Sequence, residues 1–383
     1  MQLSDRDAER MLLEGVTALR SGDAATARAR FAAVTDAGRA DGQSLILLAM
    51  ACRGQGDRAA EEATLDTLLR LEPRTVRGRI MKGDCRVEAG DEGSALGFYS
   101  SALQIADGQE LPADLMAELR RVEAAVATLK SSRLAKREAT LVAQGLPPEQ
   151  RSDRFQASLD ILSGAKQIFL QEPTGYYFPG LPQIQFFDLG DQPWVKEVEA
   201  ATDAIRDELE TLLTAGGDGF RPYLRSDANR PRLDDERLQD SMDWSALFLC
   251  ENGETFDDAI ARCPLTWDAV QAAPLPRMAN SPTVMFSWLR PGARIAPHTG
   301  THNTRLTCHL PLIVPPGCGF RVGNEVREWQ VGKLMVFDDS IEHEAWNESG
   351  EDRLVLIFDI WRPELSEQER REVGALFYAS SLE

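Results

Sequence analysis

The four histidines of this chain lie close together in the sequence. They are His298, His302, His309 and His343, in a chain of 383 residues. Histidine is the side chain that most often binds iron and zinc, and it exchanges protons near neutral pH. A chain that places every histidine in one short region therefore predicts a metal site or a proton-transfer site there.

A second set of polar residues near the histidines suits a small anion. Arg305, Thr307 and His309 are spaced by two, so on a β-strand their side chains point to one face. Burying that row in a dry core would be costly, whereas an anionic ligand would satisfy it. Arg353 opens an apolar run, where a guanidinium suits two-pronged capture of a carboxylate. Ser287, on an earlier predicted strand, is expected to donate to the same carboxylate.

The sequence around these residues predicts short β-strands. Runs rich in branched and aromatic residues are bounded by Gly, Pro and Asn. They are Val284–Leu289, Arg305–Val314, Gly319–Val322, Lys333–Phe337 and Arg353–Trp361. Strands without helices between them predict a sandwich or jelly roll rather than a parallel α/β sheet. Ser366 and Glu369 then have capping-box spacing, which predicts a closing helix.

The first part of the chain repeats with a period of 34 residues. Gly-Asp pairs begin at Gly22, Gly56 and Gly90, and the same interval separates Gly15, Ala49 and Gly83, and Phe31, Leu65 and Tyr99. This period, with small residues at helix crossings and a bulky packing position, resembles the tetratricopeptide repeat (TPR). Such helix pairs bury their apolar faces by stacking and form a groove. A plain helical bundle with accidental spacing is the alternative.

These patterns predict an α+β multidomain chain. We expect a TPR-like helical repeat domain over 1–130 and a helical linker over 131–165, interrupted near Gly145. From Gln167 onward aromatic residues, prolines and glycines become more frequent. We therefore expect a double-stranded β-helix (jelly-roll or cupin-like) domain over 166–383.

The composition excludes some classes of function. The formal net charge is −19, whereas a nucleic-acid-binding protein needs a basic surface. No apolar run approaches the roughly 20 residues of a membrane-spanning helix. The six cysteines are scattered and no export signal is visible, which favours reduced thiols in the cytoplasm.

An ordered series of motifs between about Gln171 and Leu365 carries a family resemblance. The series includes Phe286-Ser-Trp-Leu-Arg-Pro-Gly, His298-Thr-Gly, Arg305-Leu-Thr-Cys-His-Leu-Pro-Leu, Phe337-Asp-Asp-Ser-Ile-Glu-His-Glu-Ala-Trp-Asn and Asp359-Ile-Trp-Arg-Pro-Glu-Leu. It resembles the aspartyl/asparaginyl β-hydroxylases, which are oxygenases dependent on iron(II) and 2-oxoglutarate. Some members of that family also carry helical repeats ahead of the catalytic domain.

The resemblance implies a metal centre with two protein ligands. His298 and His343 match the positions of the iron ligands. Most oxygenases of the wider class have a carboxylate two residues after the first ligand, where this chain has Gly300. The family is known for this absence, with water at the vacant position. The implied cofactor is Fe(II), with 2-oxoglutarate and O2 as cosubstrates.

The resemblance also implies contacts to the cosubstrate. Ser287 and Arg353 match the pair that binds the distal carboxylate of 2-oxoglutarate, and His309 matches the contact to its metal-proximal carboxylate. The family usually has Arg where this chain has Thr307. Arg305, on the same strand face, is expected to compensate.

Three further residues have open roles. His302 matches no ligand position, and we expect it on a loop near the mouth of the site, facing either substrate or solvent. Asp338 and Asp339 precede the second ligand. We expect them either to orient an imidazole N–H or to form a turn that ends a strand.

The implied reaction is hydroxylation of the β-carbon of Asp or Asn in a peptide or protein, with release of succinate and carbon dioxide. The groove of the repeats is expected to bind that substrate or another protein. One alternative is a non-catalytic TPR/cupin scaffold that binds a peptide partner. Two others are a barrel with structural histidines and a non-oxidative metal-dependent cupin.

Overall fold

The computed structural model describes residues 3–226 and 238–382. The chain forms two compact units, Met1–Gln156 and Ala157–Glu383. The division lies inside the stretch 131–165, for which a helical linker was predicted.

The N-terminal unit is built from helices that pack in consecutive pairs. The helices are α1 (Asp5–Arg20), α2 (Ala24–Val34), α3 (Gly42–Gly54), α4 (Arg58–Leu71), α5 (Val76–Glu88), α6 (Glu92–Ala106) and α7 (Ala113–Ala143). A π-helical turn, Thr35–Arg39, follows α2. The predicted helical repeats are therefore confirmed.

The residues that recur every 34 positions explain this pairing. The glycines of the Gly-Asp pairs have positive φ, and each following Asp caps the next helix: Gly22 and Asp23, Gly56 and Asp57, Gly90 and Asp91. A Cβ on Gly15 would lie 2.5 Å from the Phe31 ring, and one on Gly83 would lie 2.4 Å from the Tyr99 ring. In the first and third helix pairs, a glycine at this position lets the helices approach this closely.

Helix α7 ends before Gly145, where the predicted interruption lies. A 3-10 turn (Pro148–Gln150) and helix α8 (Asp153–Ser163) follow. No helix within the described residues is long and apolar enough to cross a membrane.

The C-terminal unit contains two antiparallel sheets and several helices. The strands are β1 (Phe186–Phe187), β2 (Arg221–Pro222), β3 (Trp244–Glu251), β4 (Glu254–Thr255), β5 (Val284–Leu289), β6 (Arg294–His298), β7 (Arg305–Ile313), β8 (Cys318–Val322), β9 (Glu325–Arg327), β10 (Met335–Phe337), β11 (His343–Asn347) and β12 (Arg353–Trp361). The helices are α9 (Pro193–Ala200), α10 (Thr202–Thr214), α11 (Asp257–Arg262), α12 (Pro264–Gln271) and α13 (Glu367–Ser380).

The two sheets share an apolar core on their facing surfaces. The larger sheet has the order β1-β10-β7-β12-β5-β3-β2, with β4 beside β3, and the smaller has the order β6-β11-β8-β9. Trp244 and Leu289 of the larger sheet pack in one cluster with Ile295, Phe320 and Ala345 of the smaller. Residues of α10 and α12 form a second cluster with residues of the larger sheet. Helices and antiparallel sheets thus form the predicted α+β fold.

The predicted elements agree best where the sequence is most apolar. Strands β5 and β12 have the predicted bounds, and α13 begins with the predicted capping box of Ser366 and Glu369. The sequence did not predict β3, β6 or β11. Strands β6 and β11 carry mostly polar or exposed residues, so their hydrophobic pattern is weak.

Candidate active site

A cavity of about 460 Å³ opens between the two sheets. The candidate site residues that line it are Ser287, His298, Arg305, Thr307, His309, His343 and Arg353. They come from five strands, β5, β6, β7, β11 and β12. The structure therefore brings together in one space all the residues proposed from the sequence to bind metal or cosubstrate.

The strand register explains how the larger sheet presents its share of these side chains. Val355 of β12 pairs with Ser287 of β5, and Ile357 of β12 pairs with His309 of β7. Arg353 lies two residues before Val355, so it shares that face of the sheet. Ser287, His309 and Arg353 consequently point into the same cavity.

The two candidate metal ligands are partners across β6 and β11. His298 pairs with His343, and their ring centroids are 4.1 Å apart. The Nδ1 atom of His298 lies 2.8 Å from the carbonyl oxygen of Ala296, and that of His343 lies 3.0 Å from the oxygen of Ile341. A carbonyl only accepts, so each Nδ1 carries the proton and each Nε2 keeps the lone pair that a metal needs.

Burial favours the neutral form of the His343 imidazole. Burial, and then the neighbouring His298, lower the pKa of His343 to about 3. Among residues 3–226 and 238–382, no three His, Cys, Asp or Glu side chains cluster closely enough to hold a metal ion. The candidate centre thus has two imidazole ligands, which iron(II) accepts when water or a cosubstrate completes its coordination.

The Asp339 carboxylate fills the space that a side chain on Gly300 would take. A Cβ added to Gly300 would lie 2.3 Å from the Asp339 Oδ2 atom. The Gly300 N–H also donates to the Asp339 carbonyl at 2.7 Å. A side chain at position 300 would therefore have to displace the Asp339 carboxylate.

Of the two roles expected for the aspartates, the structure agrees with the turn that ends a strand. Asp338 and Asp339 follow β10 directly, and the Ser340 N–H donates to the Asp338 Oδ1 atom at 3.1 Å. Backbone carbonyls, not Asp338 or Asp339, accept the imidazole N–H groups. Asp338 instead forms a fully buried ion pair with Arg362 at 2.6 Å and accepts from Gln171 at 2.6 Å. Burial raises the pKa of Asp339 to about 7, although Arg305 opposes this shift. The Nδ1 atoms of both candidate ligands lie against backbone carbonyls.

Arg353 is a buried cation without an acidic partner. Its exposed fraction is 1%, and its Nε and Nη1 atoms have no hydrogen-bond partner. No carboxylate of the described residues forms an ion pair with it. Burial lowers the pKa of Arg353 to about 10, so the guanidinium remains charged at neutral pH. A buried charge of this kind needs a counter-ion, and the cavity beside it has room for a small carboxylate.

Ser287 has a partner that the sequence did not reveal. The indole N–H of Trp244 on β3 donates to the Ser287 Oγ atom at 3.2 Å. Because an indole nitrogen only donates, the serine hydroxyl keeps its own proton for an acceptor in the cavity. Trp244 begins the unpredicted strand β3, and its apolar run Trp-Ser-Ala-Leu-Phe-Leu was the available signal.

His309 is buried beside the same end of the cavity. Its Nδ1 atom has no hydrogen-bond partner. Burial, and then Arg353 and His343, hold the pKa of His309 well below its usual range. The ring is therefore neutral and keeps one donor and one acceptor position.

Arg305 lines the outer part of the cavity but already has acidic partners. Its Nη1 atom lies 2.8 Å from Asp359, and its Nη2 atom lies 3.7 Å from Asp339. Burial lowers the pKa of Arg305, but these two carboxylates raise it above its ordinary value. The compensating contact expected of Arg305 near Thr307 remains a prediction.

His302 is not a surface residue. It lies on a loop, as expected, but its exposed fraction is only 2%, so the expectation that it faces solvent or substrate is wrong. Its Nδ1 atom lies 2.8 Å from Thr304 Oγ1, and its ring packs on Phe377 of α13 at 4.9 Å. Burial, and then Arg305, lower the pKa of His302 to about 3.

The remaining wall of the cavity is largely apolar. It is lined by Tyr223, Leu224, Met285, Ile295 and Ile357. The Tyr223 ring stacks on Trp244 at 4.1 Å. The cavity thus combines polar side chains with an apolar part of the wall.

Comparison with known proteins gives a consistent result for the C-terminal unit. The family model described as aspartyl/asparaginyl beta-hydroxylase matches residues 199–363. The human protein named aspartyl/asparaginyl beta-hydroxylase is 34% identical over 197 residues. That match covers 48% of this chain and 24% of the human protein. This chain therefore corresponds to about a quarter of that relative.

A bacterial relative is covered more fully. The ornithine lipid ester-linked acyl 2-hydroxylase of Rhizobium tropici is 34% identical over 230 residues, which are 59% of this chain and 76% of that protein.

Among solved structures, PcrH from Pseudomonas aeruginosa is similar at 18% identity with a TM-score of 0.31. That likeness covers 33% of this chain and 94% of PcrH.

Proposed function

Because this chain belongs to the aspartyl/asparaginyl β-hydroxylase family, we propose that it is an iron(II)- and 2-oxoglutarate-dependent dioxygenase. We propose as its reaction the hydroxylation of the β-carbon of Asp or Asn in a peptide or protein. The family names support hydroxylation as the general activity. The metal, the cosubstrate and the substrate are parts of the proposal.

One observation carries this proposal most strongly. Arg353 is buried without an acidic partner among residues 3–226 and 238–382, and it faces the cavity that also contains the His298–His343 pair. An anionic ligand would supply the missing counter-ion. A dicarboxylate that reaches from Arg353 to a metal at the two imidazoles would satisfy both groups.

The residues of the cavity have distinct proposed roles. His298 and His343 would hold iron through their Nε2 atoms. Ser287 and Arg353 would bind the distal carboxylate of 2-oxoglutarate, and His309 would contact the proximal one. The bound iron and cosubstrate would supply oxidation of an unactivated C–H bond by O2, with release of succinate and carbon dioxide. The cavity residues named above would orient these groups.

Arg305 and the helical repeats have proposed roles in binding. Arg305 would assist at the proximal carboxylate, where the chain has Thr307. The stack of helices in the N-terminal unit would bind the peptide substrate or another protein, because such stacks expose an extended groove.

The proposal is tested by measuring succinate. The full chain is incubated with Fe(II), ascorbate and 2-oxoglutarate, with and without matched peptides that contain Asp, Asn or Ala at one position. We expect slow succinate release without peptide and faster release with the Asp or Asn peptide, together with a mass gain of one oxygen atom. Complete absence of succinate, with 2-oxoglutarate unbound, would favour the non-catalytic scaffold.

A second candidate substrate class is the acyl chain of a lipid. The Rhizobium relative is named for that reaction and is covered over 76% of its length. The apolar part of the cavity wall, with Leu224, Met285 and Ile357, would accept an acyl chain. The same assay with an ornithine lipid separates the two classes, because only one of them should gain oxygen.

A further inference from the structure

We propose that Trp329 is a positioning residue that holds both His309 and Arg353 in the orientation needed to bind the cosubstrate carboxylates. This inference rests on the proposed function. Trp329 lies between β9 and β10, outside both strands, and it does not line the cavity. Any effect it has on a ligand must therefore pass through its neighbours.

The Trp329 ring contacts both candidate cosubstrate residues. It lies nearly parallel to the His309 imidazole, with an interplanar angle of 8° and a centroid distance of 5.4 Å. The Arg353 guanidinium carbon lies 4.7 Å from the same ring's centroid. Phe320 of the smaller sheet packs against it at 5.2 Å. One indole thus joins two side chains that come from different strands.

The contact with Trp329 stabilises the buried charge of Arg353 without occupying its N–H groups. A buried guanidinium would ordinarily require a carboxylate, but a protein carboxylate would occupy the N–H groups that a ligand must reach. The face of an indole attracts the cation through its quadrupole and accepts no strong hydrogen bond. Trp329 therefore stabilises the charge while the N–H groups stay available.

The contact with His309 is the parallel one among three aromatic contacts to this imidazole, since Phe320 and Phe337 lie at an angle to its plane. The His309 Nδ1 atom lacks a hydrogen-bond partner, and Phe337 contacts the ring by its edge at 4.8 Å. Stacking on Trp329 limits rotation of the ring about its bond to Cβ. The donor of His309 is thereby directed at a constant angle.

The polar atom of Trp329 has no visible role. Its buried Nε1 atom has no hydrogen-bond partner within the described residues. The ring faces, rather than the N–H, are therefore the functional part of this side chain. A phenylalanine at this position should retain part of the effect, whereas a leucine should lose it.

The test compares Trp329→Leu, Trp329→Phe and the control Trp267→Leu, which removes a half-buried tryptophan of α12. The dissociation constant of 2-oxoglutarate is measured calorimetrically on the full chain loaded with Mn(II). The leucine variant should bind about tenfold more weakly, as expected for loss of a desolvated cation–π contact, and the phenylalanine variant should lie between. The control and the Mn(II) affinity should not change.

A second measurement does not depend on cosubstrate binding. With only four histidines in the chain, ¹³C-labelled imidazole signals can be assigned with a His309→Asn variant. The His309 ring protons should lie upfield in the parent because of the indole ring current, and they should move downfield in Trp329→Leu. His302 should not move.

The outcomes separate the two levels of the proposal. If the parent fails to bind 2-oxoglutarate, the proposed function is wrong, and the His309 shift still decides whether Trp329 orients that ring. Parent-like 2-oxoglutarate affinity in Trp329→Leu would overturn the positioning role. Equal losses of Mn(II) and 2-oxoglutarate affinity would overturn it as well, because they indicate general damage to the unit.

Discussion

Strand β12 begins with one buried arginine and is followed by another, and the two have opposite surroundings. Arg362 has an exposed fraction of 0%, with Asp338 at 2.6 Å and the Pro182 carbonyl at 2.6 Å. Arg353 is 1% exposed and has no acidic partner among the residues described. The Arg362 guanidinium connects separate chain segments, whereas the Arg353 guanidinium faces a cavity. The contrast teaches that the partner of a buried charge, more than its burial, separates a structural arginine from a candidate ligand-binding one.

The largest effect is expected from the loss of a candidate metal ligand, because the metal would give the cavity its proposed chemistry. His343→Ala should reduce iron-dependent succinate formation to background, because one of only two candidate ligands is lost. The variant should stay folded, since the substitution removes a neutral imidazole and leaves no buried charge without a partner. Circular dichroism and succinate assays check this, and parent-like turnover would contradict the ligand assignment.

The two arginines should differ sharply in their contribution to folding. Arg362→Met leaves Asp338 buried without its cation and should lower the free energy of unfolding by about 3–5 kcal/mol. Arg353→Met leaves no orphaned carboxylate, so the change should stay within about 1 kcal/mol. Urea unfolding of both variants measures this difference. Equal destabilisation would mean that Arg353 has a structural partner after all.

For binding of the cosubstrate, we expect the Arg353 substitution to have the larger effect of the two. Arg353→Met should raise the KM for 2-oxoglutarate roughly 30- to 100-fold, because charge-assisted hydrogen bonds of about 2–3 kcal/mol are lost. The rate at saturating cosubstrate should change much less. Arg290→Met is a matched control, since Arg290 already pairs with Asp352 at 3.1 Å. An unchanged KM in Arg353→Met would show that the carboxylate binds elsewhere.

The smallest expected effect is on the pH dependence of stability, and it comes from His302, which lies close to Arg362. His302 lies next to Asn303, whose carbonyl accepts from Arg362 at 3.3 Å. The pKa of His302 is lowered from 6.5 to about 3 in the folded chain, first by burial. The unfolded chain therefore binds a proton between these values, so stability falls as pH falls from about 6.5 toward 3.

His302→Gln should remove this component of the pH dependence. Between pH 6.5 and 5 the parent should lose about 1.6 kcal/mol more unfolding free energy than the variant. Urea unfolding of both proteins at each pH measures the difference, in which the other titrating groups cancel. If the free energy of unfolding had the same pH dependence in both proteins, His302 would be protonated equally in the folded and unfolded states.

Much of the architecture was predictable because it depends on local patterns. The repeat of Gly15 and Gly83 opposite Phe31 and Tyr99 is a matter of spacing, and the structure shows why only glycine fits there. The apolar strand β12 was predicted with its correct bounds. Strands β6 and β11 were not predicted, because their residues pair with one another but lack an apolar pattern of their own.

Part of the candidate site was not predictable for a different reason. Trp244 donates to Ser287 across 43 positions of sequence, and Trp329 reaches two strands from a loop. The position of each residue in the sequence states no role for it. His302 looked like a loop residue exposed to solvent, and only its packing on Phe377 shows otherwise.

The sequence by itself determined which side chains were available and which of them shared a strand face, because alternation along a strand follows from backbone geometry. It also determined the helical repeat, because the spacing of small and bulky residues sets how helices pack. Only the tertiary structure decided that Arg362 meets a carboxylate while Arg353 meets an indole and a cavity. The electrostatic surroundings of a buried charge are set by side chains from distant segments, and those come together only when the sheets close.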